Sequence, residues 1–488
     1  MERARPVGPA DPGGDSQAPG SGPALPQDDA VSWRHVVAAL RVRSFAWYWA
    51  SQLLSGLGSW SQTVAQAWLV LELARTPSRA GVWLGTVTLL QFLPLLAFAP
   101  LGGVVADRLP RRRLLVATQS ASAGQAVALG ALVATGAVRL WEVGVLAFAL
   151  GTTNALNNPA QQAFVPELVG RRLVADAVAL NSVQFNSARM LGGALGGVAV
   201  AAWGVPGALF LNAASFLPAI AVLGVIRPAH SPPRRGRPAA SMLAELRDGW
   251  RFACSSGPIR RVVLVFGAAS LFGLNWQVVM PLVARFLVHR QVTGFGDLMA
   301  AFGAGSLLAA LLLARDRRAS ERRLVEGALA LGAALALVGL SRSYLASLLL
   351  VAGGGVASIV VTITANTRLQ LLAPDHLRGR VMGIYVLLMG GTTPVGGFLL
   401  GEVAGRLGVR PGIVAFGVVT AASVAAAALA TRRRAARDSR GEAPPPEGHR
   451  GGWPEGGSPA ACAGAADLGP ASRPPSLALG CPEGVARR

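Results

Sequence analysis

The sequence predicts an all-α membrane protein with about twelve transmembrane helices, arranged as two pseudo-symmetric bundles of six helices. Composition is the first reason, because 52% of the 488 residues are hydrophobic and only 14% are charged. Length is the second: apolar stretches of ~20 residues, each enough to cross ~30 Å of hydrocarbon, recur along most of the chain. The third is that arginine-rich and arginine-poor loops alternate between these stretches. Together these observations predict a polytopic membrane protein.

The apolar stretches give the position of each span. Several contain a proline, such as Pro94, Pro281 or Pro394, which a membrane helix tolerates because neighbouring helices satisfy the freed carbonyl groups. The expected spans run near residues 45–73, 81–106, 114–138, 141–164, 177–203, 205–225, 262–288, 298–314, 324–340, 344–366, 381–407 and 412–431. A polar stretch separates the first six from the last six.

Polar segments outside the spans set the predicted domain boundaries. We expect a disordered cytoplasmic tail at 1–35, an N-terminal bundle at 36–226, a cytoplasmic linker at 227–261, a C-terminal bundle at 262–431 and a disordered cytoplasmic tail at 432–488. The tails are rich in Gly, Pro and Ala and cannot bury enough apolar surface to offset the entropy of ordering. In the linker, Leu243, Leu246 and Trp250 have helical spacing, which predicts an amphipathic helix on the membrane surface.

Two loop sequences indicate that the halves are related. The segment FVPELVGRR at 164–172 is echoed by LAPDHLRGR at 372–380, and the arginine-rich segment around Asp107, at 103–113, is echoed more loosely by Arg315, Asp316 and Arg317. Both pairs of landmarks are separated by almost the same number of residues. A repeat of six spans is therefore expected.

The distribution of arginines predicts the orientation. The arginine-rich loops contain Arg108, Arg111 to Arg113, Arg171, Arg172, Arg227 to Arg261, Arg315 to Arg323, Arg378, Arg380 and Arg432 to Arg437. The intervening loops hold only scattered arginines. By the positive-inside rule the first set and both termini are expected to face the cytoplasm.

Other classes of protein fit the sequence poorly. The net charge of +21 could indicate nucleic-acid binding, but the arginines are divided among loops and do not line one soluble face. The chain has no lysine and so no Walker A motif. The five histidines fall in loops, tails or span ends, away from any nucleophile or ligand cluster. We therefore expect that the protein is not an enzyme and that it has no cofactor, no metal site and no nucleic-acid partner.

Arg189 is the main candidate for contact with a transported molecule. It lies near the middle of the fifth span, where an uncompensated guanidinium costs at least ~2.5 kcal/mol. That charge must be compensated by the substrate, by water or by a structural hydrogen bond to a neighbouring helix. In the same span, Gly192, Gly193, Gly196 and Gly197 have the spacing of a close helix-packing surface.

Uncharged polar residues in other spans are further candidates for the substrate path. Each could also be a hydrogen bond between helices, and that alternative stays open. The candidates are Gln62, Gln66, Asn154, Asn157, Asn158, Asn181, Asn275, Gln277 and Asn366. As a set they predict a polar, largely uncharged cavity suited to an amphipathic solute. The acids Glu72, Glu142, Asp297 and Glu402 fall near span ends, which leaves the coupling ion open.

The segment GVVADRLPRRR at 103–113, with Gly103, Asp107, Arg108, Arg111 and Arg112, resembles the signature loop between helices 2 and 3 of the major facilitator superfamily. Pro110 replaces its second glycine. The segments SWSQTVAQAWLVL at 59–71, NPAQQAFVPEL at 158–168 and 177–197 are similar to the bacterial branch that includes enterobactin exporters and macrolide efflux proteins. The glycines at 192–197 resemble an antiporter signature in which Gly193 replaces proline, whereas Ser59 stands where many relatives have an acid.

This resemblance implies a two-lobed secondary transporter that exports a small amphipathic drug, siderophore or metabolite by alternating access, with proton antiport. It also implies that Asp107 and its loop form a conformational latch against the start of helix 11, near residues 380–383. The expected partners are a small-molecule substrate, protons and the lipid bilayer, and the resemblance implies a monomer in the bacterial inner membrane. An importer or uncoupled facilitator of the same fold, or a membrane scaffold or receptor without transport, are the alternatives.

Overall fold

The computed structural model describes residues 37–226, 240–315, 319–374 and 377–438, and these ranges contain helices and short connections without a β-strand. The predicted N-terminal tail, most of the C-terminal tail and residues 227–239 of the linker lie outside the described residues. So do Asp316 and Asp375, two of the repeat landmarks. The described part of the chain confirms the predicted all-α membrane fold.

The helices preceding the linker follow the predicted spans closely. They are α1 (Arg43–Ala74), α2 (Pro77–Arg108), α3 (Arg111–Ala134), α4 (Leu140–Val169) and the continuous run Val174–Val225. That run is broken at Gly204, whose φ of 69° lies in the left-handed region that favours glycine. The break divides it into α5 (174–203) and α6 (205–225), so that one residue connects two spans.

The helices following the linker are α7 (Gly257–Leu287), α8 (Val292–Arg315), α9 (Glu321–Leu340), α10 (Tyr344–Leu372), α11 (Arg378–Leu407) and α12 (Val409–Asp438). Two of them are irregular. α7 contains π-helical turns at Ala269–Gly273 and Val283–Leu287, and α11 contains one at Leu388–Thr392. In α7 the π-helical turn at Ala269–Gly273 is followed by a local break, and a new helical segment begins at Trp276 with Asn275 as its N-cap.

Eight helices in the described ranges are long and apolar enough to cross a membrane, by length and composition. The run Val174–Val225 is one of the eight, although it contains both α5 and α6. The helices α1, α3 and α4 complete the twelve predicted spans but do not meet that criterion. α1 and α3 carry buried glutamines and serines, and α4 carries several asparagines and glutamines, all of which lower their hydropathy.

The linker contains a helix at Ala240–Ser255, the linker helix, where the sequence predicts an amphipathic one. The side chains of Leu243 and Leu246 lie outside the described side chains, and Trp250 is 48% exposed. A Cβ added at Gly249 would stand 2.9 Å from the backbone oxygen of Arg380. The linker helix therefore packs on the start of α11, and this contact is not one that the sequence pattern predicted.

Glycines allow two pairs of helices from opposite halves of the chain to approach closely. Between α2 and α11, a Cβ at Gly81 would stand 2.7 Å from the oxygen of Gly401, and one at Gly85 would stand 2.8 Å from that of Gly397. Between α5 and α8, the Cα atom of Gly296 lies 3.1 Å from a Cβ added at Gly197. We call these contacts the α2–α11 seam and the α5–α8 seam. Both lie toward the end of the protein that has the arginine-poor loops.

Candidate functional site

Arg189 lies halfway along α5, between the two halves of the chain. Its guanidinium carbon is 4.4 Å from the ring centroid of Phe302 on α8 and 5.7 Å from that of Trp60 on α1. Both distances are within the range of a cation–π interaction. Arg189 also donates a hydrogen bond of 3.5 Å to Oγ of Ser306, which is fully buried on α8. One arginine thus contacts a helix of its own half and a helix of the other half.

Aromatic side chains extend from Arg189 in both directions. On one side, Phe185 meets Trp60 edge to face, with ring centroids 5.7 Å apart. On the other side, the centroids of Phe302 and Trp276 are 5.3 Å apart. The aromatic row, defined as Phe185, Trp60, Phe302 and Trp276, therefore links α5, α1, α8 and α7, with the only charge of the group on Arg189.

Helical spacing explains why these side chains meet. Phe185 and Arg189 are four residues apart on α5, and Phe302 and Ser306 are four apart on α8, so each pair lies on one face of its helix. The row passes from exposed to buried, since Phe185 is 56% exposed whereas Phe302 is 4% exposed and Trp276 is 3% exposed. The exposed end and the buried end belong to different halves of the chain.

The four glycines of α5 place Arg189 by facing two different helices. Gly192 and Gly196 lie against Leu57 and Ser61 of α1, whereas Gly193 and Gly197 lie against α8. The α5–α8 seam continues to Gly303, where an added Cβ would stand 2.7 Å from Cβ of Met190. The guanidinium is adjacent to this last close glycine contact between α5 and α8.

No carboxylate among the described residues forms an ion pair with Arg189. The ion pairs found in those ranges join Arg111 to Glu167, Arg261 to Glu321, Arg322 to Glu326 and Arg406 to Glu402. All of them lie near the ends of spans. Arg189 instead has two aromatic faces and one neutral hydroxyl around it.

Gln62 lies inside the first half, away from the row. Its Nε2 donates a hydrogen bond of 3.0 Å to Gln125 of α3, and its Oε1 accepts one from Asn212 of α6. It is 3% exposed, and Gln66 on the same face is 6% exposed. This geometry is that of a bond between helices. The predicted contact of Gln62 with substrate remains a prediction.

The other polar candidates are not gathered in one place. Oδ1 of Asn157 accepts a hydrogen bond of 2.9 Å from Thr118, and Asn275 donates one of 2.8 Å to the backbone of its own helix. Asn154, Asn181 and Gln277 are partly exposed. The structure therefore distributes these residues over several helices, and only Arg189 lies on the aromatic row.

The predicted latch is described only in part. Gly103, Asp107 and Arg108 lie in the last turns of α2, but their side chains are outside the described side chains. Arg111 forms an ion pair of 2.6 Å with Glu167 of α4, and Arg112 donates to the carbonyl groups of Leu223 and Gly224 at the end of α6. These two arginines connect the start of α3 to the ends of α4 and α6.

Sequence reasoning missed the partners of Arg189 and Gln62. Trp60, Phe302 and Ser306 contact Arg189, while Gln125 and Asn212 bind Gln62. The sequence did show that an arginine within a membrane span needs neighbours that compensate its charge. Which span supplies them depends on how the helices pack, and periodicity within one span does not contain that information.

Comparison with protein families identifies the chain. The family model described as a transmembrane secretion effector, part of the major facilitator superfamily, matches residues 35–449. The chain belongs to this family. The predicted superfamily is confirmed, and because its members are transporters, so is the prediction that the chain is not an enzyme. It is a multi-pass membrane protein of a bacterial transporter family.

Similar proteins include exporters and a siderophore transporter. The chain is 28% identical to the multidrug efflux pump Tap of Mycolicibacterium fortuitum over 368 residues, which are 73% of this chain and 88% of Tap. It is 27% identical to the enterobactin exporter EntS of Shigella boydii, over 63% of this chain and 73% of that protein. It is 26% identical to the staphyloferrin A transporter of Staphylococcus aureus, over 55% and 66% of the two chains.

Solved structures show the same fold at low sequence identity. A bacterial homologue of the human lysosomal transporter Spinster, in an inward-facing and unoccupied conformation, superposes with a TM-score of 0.64 at 14% identity, over 82% of this chain and 98% of that one. The peptide transporter PepTSo gives a TM-score of 0.64 at 13% identity, over 81% and 99%. The fold is therefore that of a major facilitator transporter.

Proposed function

We propose that the protein exports a small amphipathic compound from the bacterial cytoplasm by alternating access. The observation that carries this proposal is the position of Arg189, halfway along α5, on an aromatic row that joins the two halves of the chain. Transporters of this superfamily bind substrate near the bilayer midplane between their two repeats. Export is supported by the similarity to Tap and to the enterobactin exporter.

The two seams are the contacts that must separate for release. Both join helices of opposite halves, and both rely on glycine to bring backbone atoms into contact. Closure of one end and opening of the other around a fixed central site is the motion expected of paired repeats. In this proposal Asp107 stabilises the state closed at the arginine-rich end, which is opposite the seams.

The orientation and the energy source are part of the same proposal. Arginine-rich loops favour the cytoplasmic side, so the arginine-rich end and both termini face the cytoplasm and the two seams lie at the outer end. Proton antiport drives export, with Glu72, Asp297 and Glu402 as the available carboxylates. Asp297 accepts a hydrogen bond of 2.5 Å from the hydroxyl of Tyr344, which connects α8 to α10. The protein acts as a monomer.

Import by the same fold is the second candidate, because the staphyloferrin A transporter is also similar and its name gives no direction of transport. The two are separated by measuring accumulation of radiolabelled aromatic amphiphiles in growing cells with and without the protein. Export predicts lower steady-state accumulation in the expressing cells, and the difference disappears when the proton gradient is collapsed. Higher accumulation in the expressing cells would overturn export in favour of import.

A further inference from the structure

We propose that the transported compound carries an anionic group, such as a carboxylate, which Arg189 binds while the aromatic row holds the apolar part. This inference rests on the proposed function and specifies its substrate class. Cationic and neutral amphiphiles are the alternatives. Three features of the site distinguish among these substrate classes: the charge of Arg189, the hydrogen-bond donors of the site and the side chains around it.

The charge of the site favours an anion. Arg189 is the one ionisable side chain on the aromatic row, and within the described ranges no acid pairs with it. The acids of the described spans, among them Glu72, Asp297 and Glu402, lie toward span ends. A cationic solute on the row would meet an unscreened guanidinium in a medium of low dielectric constant, where like charges repel strongly. An anion would instead neutralise it.

The donors of Arg189 are mostly unused by the protein. A guanidinium carries five N–H donors in a planar fork that matches a carboxylate, and the described residues accept only one bond, of 3.5 Å, at Ser306. A second donor lies further along the row. Nε1 of Trp276 is buried and has no hydrogen-bond partner within the described part of the chain, and the Trp276 ring packs against Phe302.

The walls of the site favour an aromatic or otherwise flat apolar body. The face of Phe302 is taken up by the guanidinium, but Phe185 is 56% exposed beside Trp60. Offset or edge-to-face contact with such rings stabilises a bound aromatic group. An aromatic carboxylate would satisfy the arginine and the exposed ring together, whereas its amide would satisfy only the ring.

The test compares three probes of one shape on the purified protein in lipid nanodiscs. They are 2-naphthoate, its neutral amide 2-naphthamide and the cation 2-naphthylmethylammonium, with binding measured by equilibrium dialysis of the radiolabelled compounds. We expect 2-naphthoate to bind about tenfold more tightly than 2-naphthamide, because a charge-assisted bidentate contact is lost in the amide. The cation should bind most weakly.

Variants then assign the preference to Arg189. In Arg189→Gln the carboxylate and the amide should bind equally, and unchanged amide binding shows that the fold is intact. Arg189→Lys should keep a reduced preference for the carboxylate, since it retains the charge but not the planar fork. Arg285→Gln is the matched control, because Arg285 also stacks on a tryptophan, Trp68, at 5.4 Å but lies away from the row. It should leave the preference unchanged.

Equal binding of carboxylate and amide to the unmodified protein, or tighter binding of the cation, would overturn the anionic substrate class. Transport of 2-naphthamide, measured as uptake of the radiolabelled probe into inside-out vesicles that contain the protein, would then still support the proposed function. A preference for the carboxylate that survives in Arg189→Gln would overturn the assignment to this residue. Absence of transport for all three probes would count against the proposed function itself, which separates the two failures.

Discussion

Gly81 on α2 lies directly against Gly401 on α11, and a methyl group at position 81 would stand 2.7 Å from the carbonyl oxygen of Gly401. That distance is shorter than ordinary van der Waals contact, so the two helices can approach in this way only because both positions lack a side chain. Adding one methyl group at the α2–α11 seam therefore tests whether this close approach is needed for the state that is closed at the arginine-poor end.

We expect Gly81→Ala to separate α2 from α11 and to populate states that are open at the arginine-poor end. Spin labels at Ser78 and Arg406, both exposed beside the seam, report the change as a shift to longer distances by pulsed electron resonance. Gly353→Ala is the control, because an added Cβ at Gly353 meets nothing within 4 Å. Identical distance distributions in Gly81→Ala and Gly353→Ala would show that the seam tolerates the methyl group.

A second prediction concerns Gln62. Gln62→Leu leaves Gln125 and Asn212 without their partner inside the first half, so the loss should appear as lower stability, about 0.5–2 kcal/mol. Thermal unfolding in detergent measures it. Thr152→Val is the control, since Thr152 bonds only to its own helix at an exposed position. Normal stability of Gln62→Leu with altered discrimination among the naphthalene probes would instead make Gln62 a substrate contact.

The orientation is tested by single cysteines in a version without the native cysteines. Arg322 is exposed at the arginine-rich end and Ala137 is exposed in a loop at the other end. In intact cells an impermeant thiol reagent should label Ala137→Cys and spare Arg322→Cys, which should become reactive after permeabilisation. The reverse pattern would invert the topology and place the seams on the cytoplasmic side.

For the latch, Asp107→Asn keeps the size of the side chain and removes its charge, so it should slow transport about tenfold without loss of abundance. Glu326→Gln is the matched control, because Glu326 is a solvated acid at the same end whose ion pair within the described residues is with exposed Arg322. The measurement is probe efflux from cells with equal amounts of each protein. Normal efflux in Asp107→Asn would show that the charge of Asp107 is not needed for transport.

The sequence predicted those features of the fold that depend on local patterns. The spans follow from apolar stretches of membrane length, and even the single-residue connection at Gly204 coincides with the predicted division between 203 and 205. The contact of the linker helix with Arg380 was not predicted, since Gly249 carries no signal for a partner so distant in the chain. Long-range packing of this kind depends on the whole bundle.

The same distinction applies to the site. Arg189 could be identified from sequence because a charge at mid-membrane depth is costly wherever its partners lie. Phe302 and Ser306 could not be identified, because an aromatic residue and a serine in an apolar span are common and gain meaning only when α8 is placed beside α5. Gln62 remains a predicted substrate contact, and its residue type did not reveal the hydrogen bonds by which it connects three helices.

Directional transport is the central claim, and membrane vesicles of both orientations test it most directly. Inside-out vesicles containing the protein should accumulate radiolabelled 2-naphthoate or 2-naphthamide when their lumen is acidified, because inversion converts export into uptake. Right-side-out vesicles should not accumulate either probe, and nigericin should release what the inside-out vesicles have taken up. Uptake confined to right-side-out vesicles, or uptake no greater than in vesicles lacking the protein, would contradict the account.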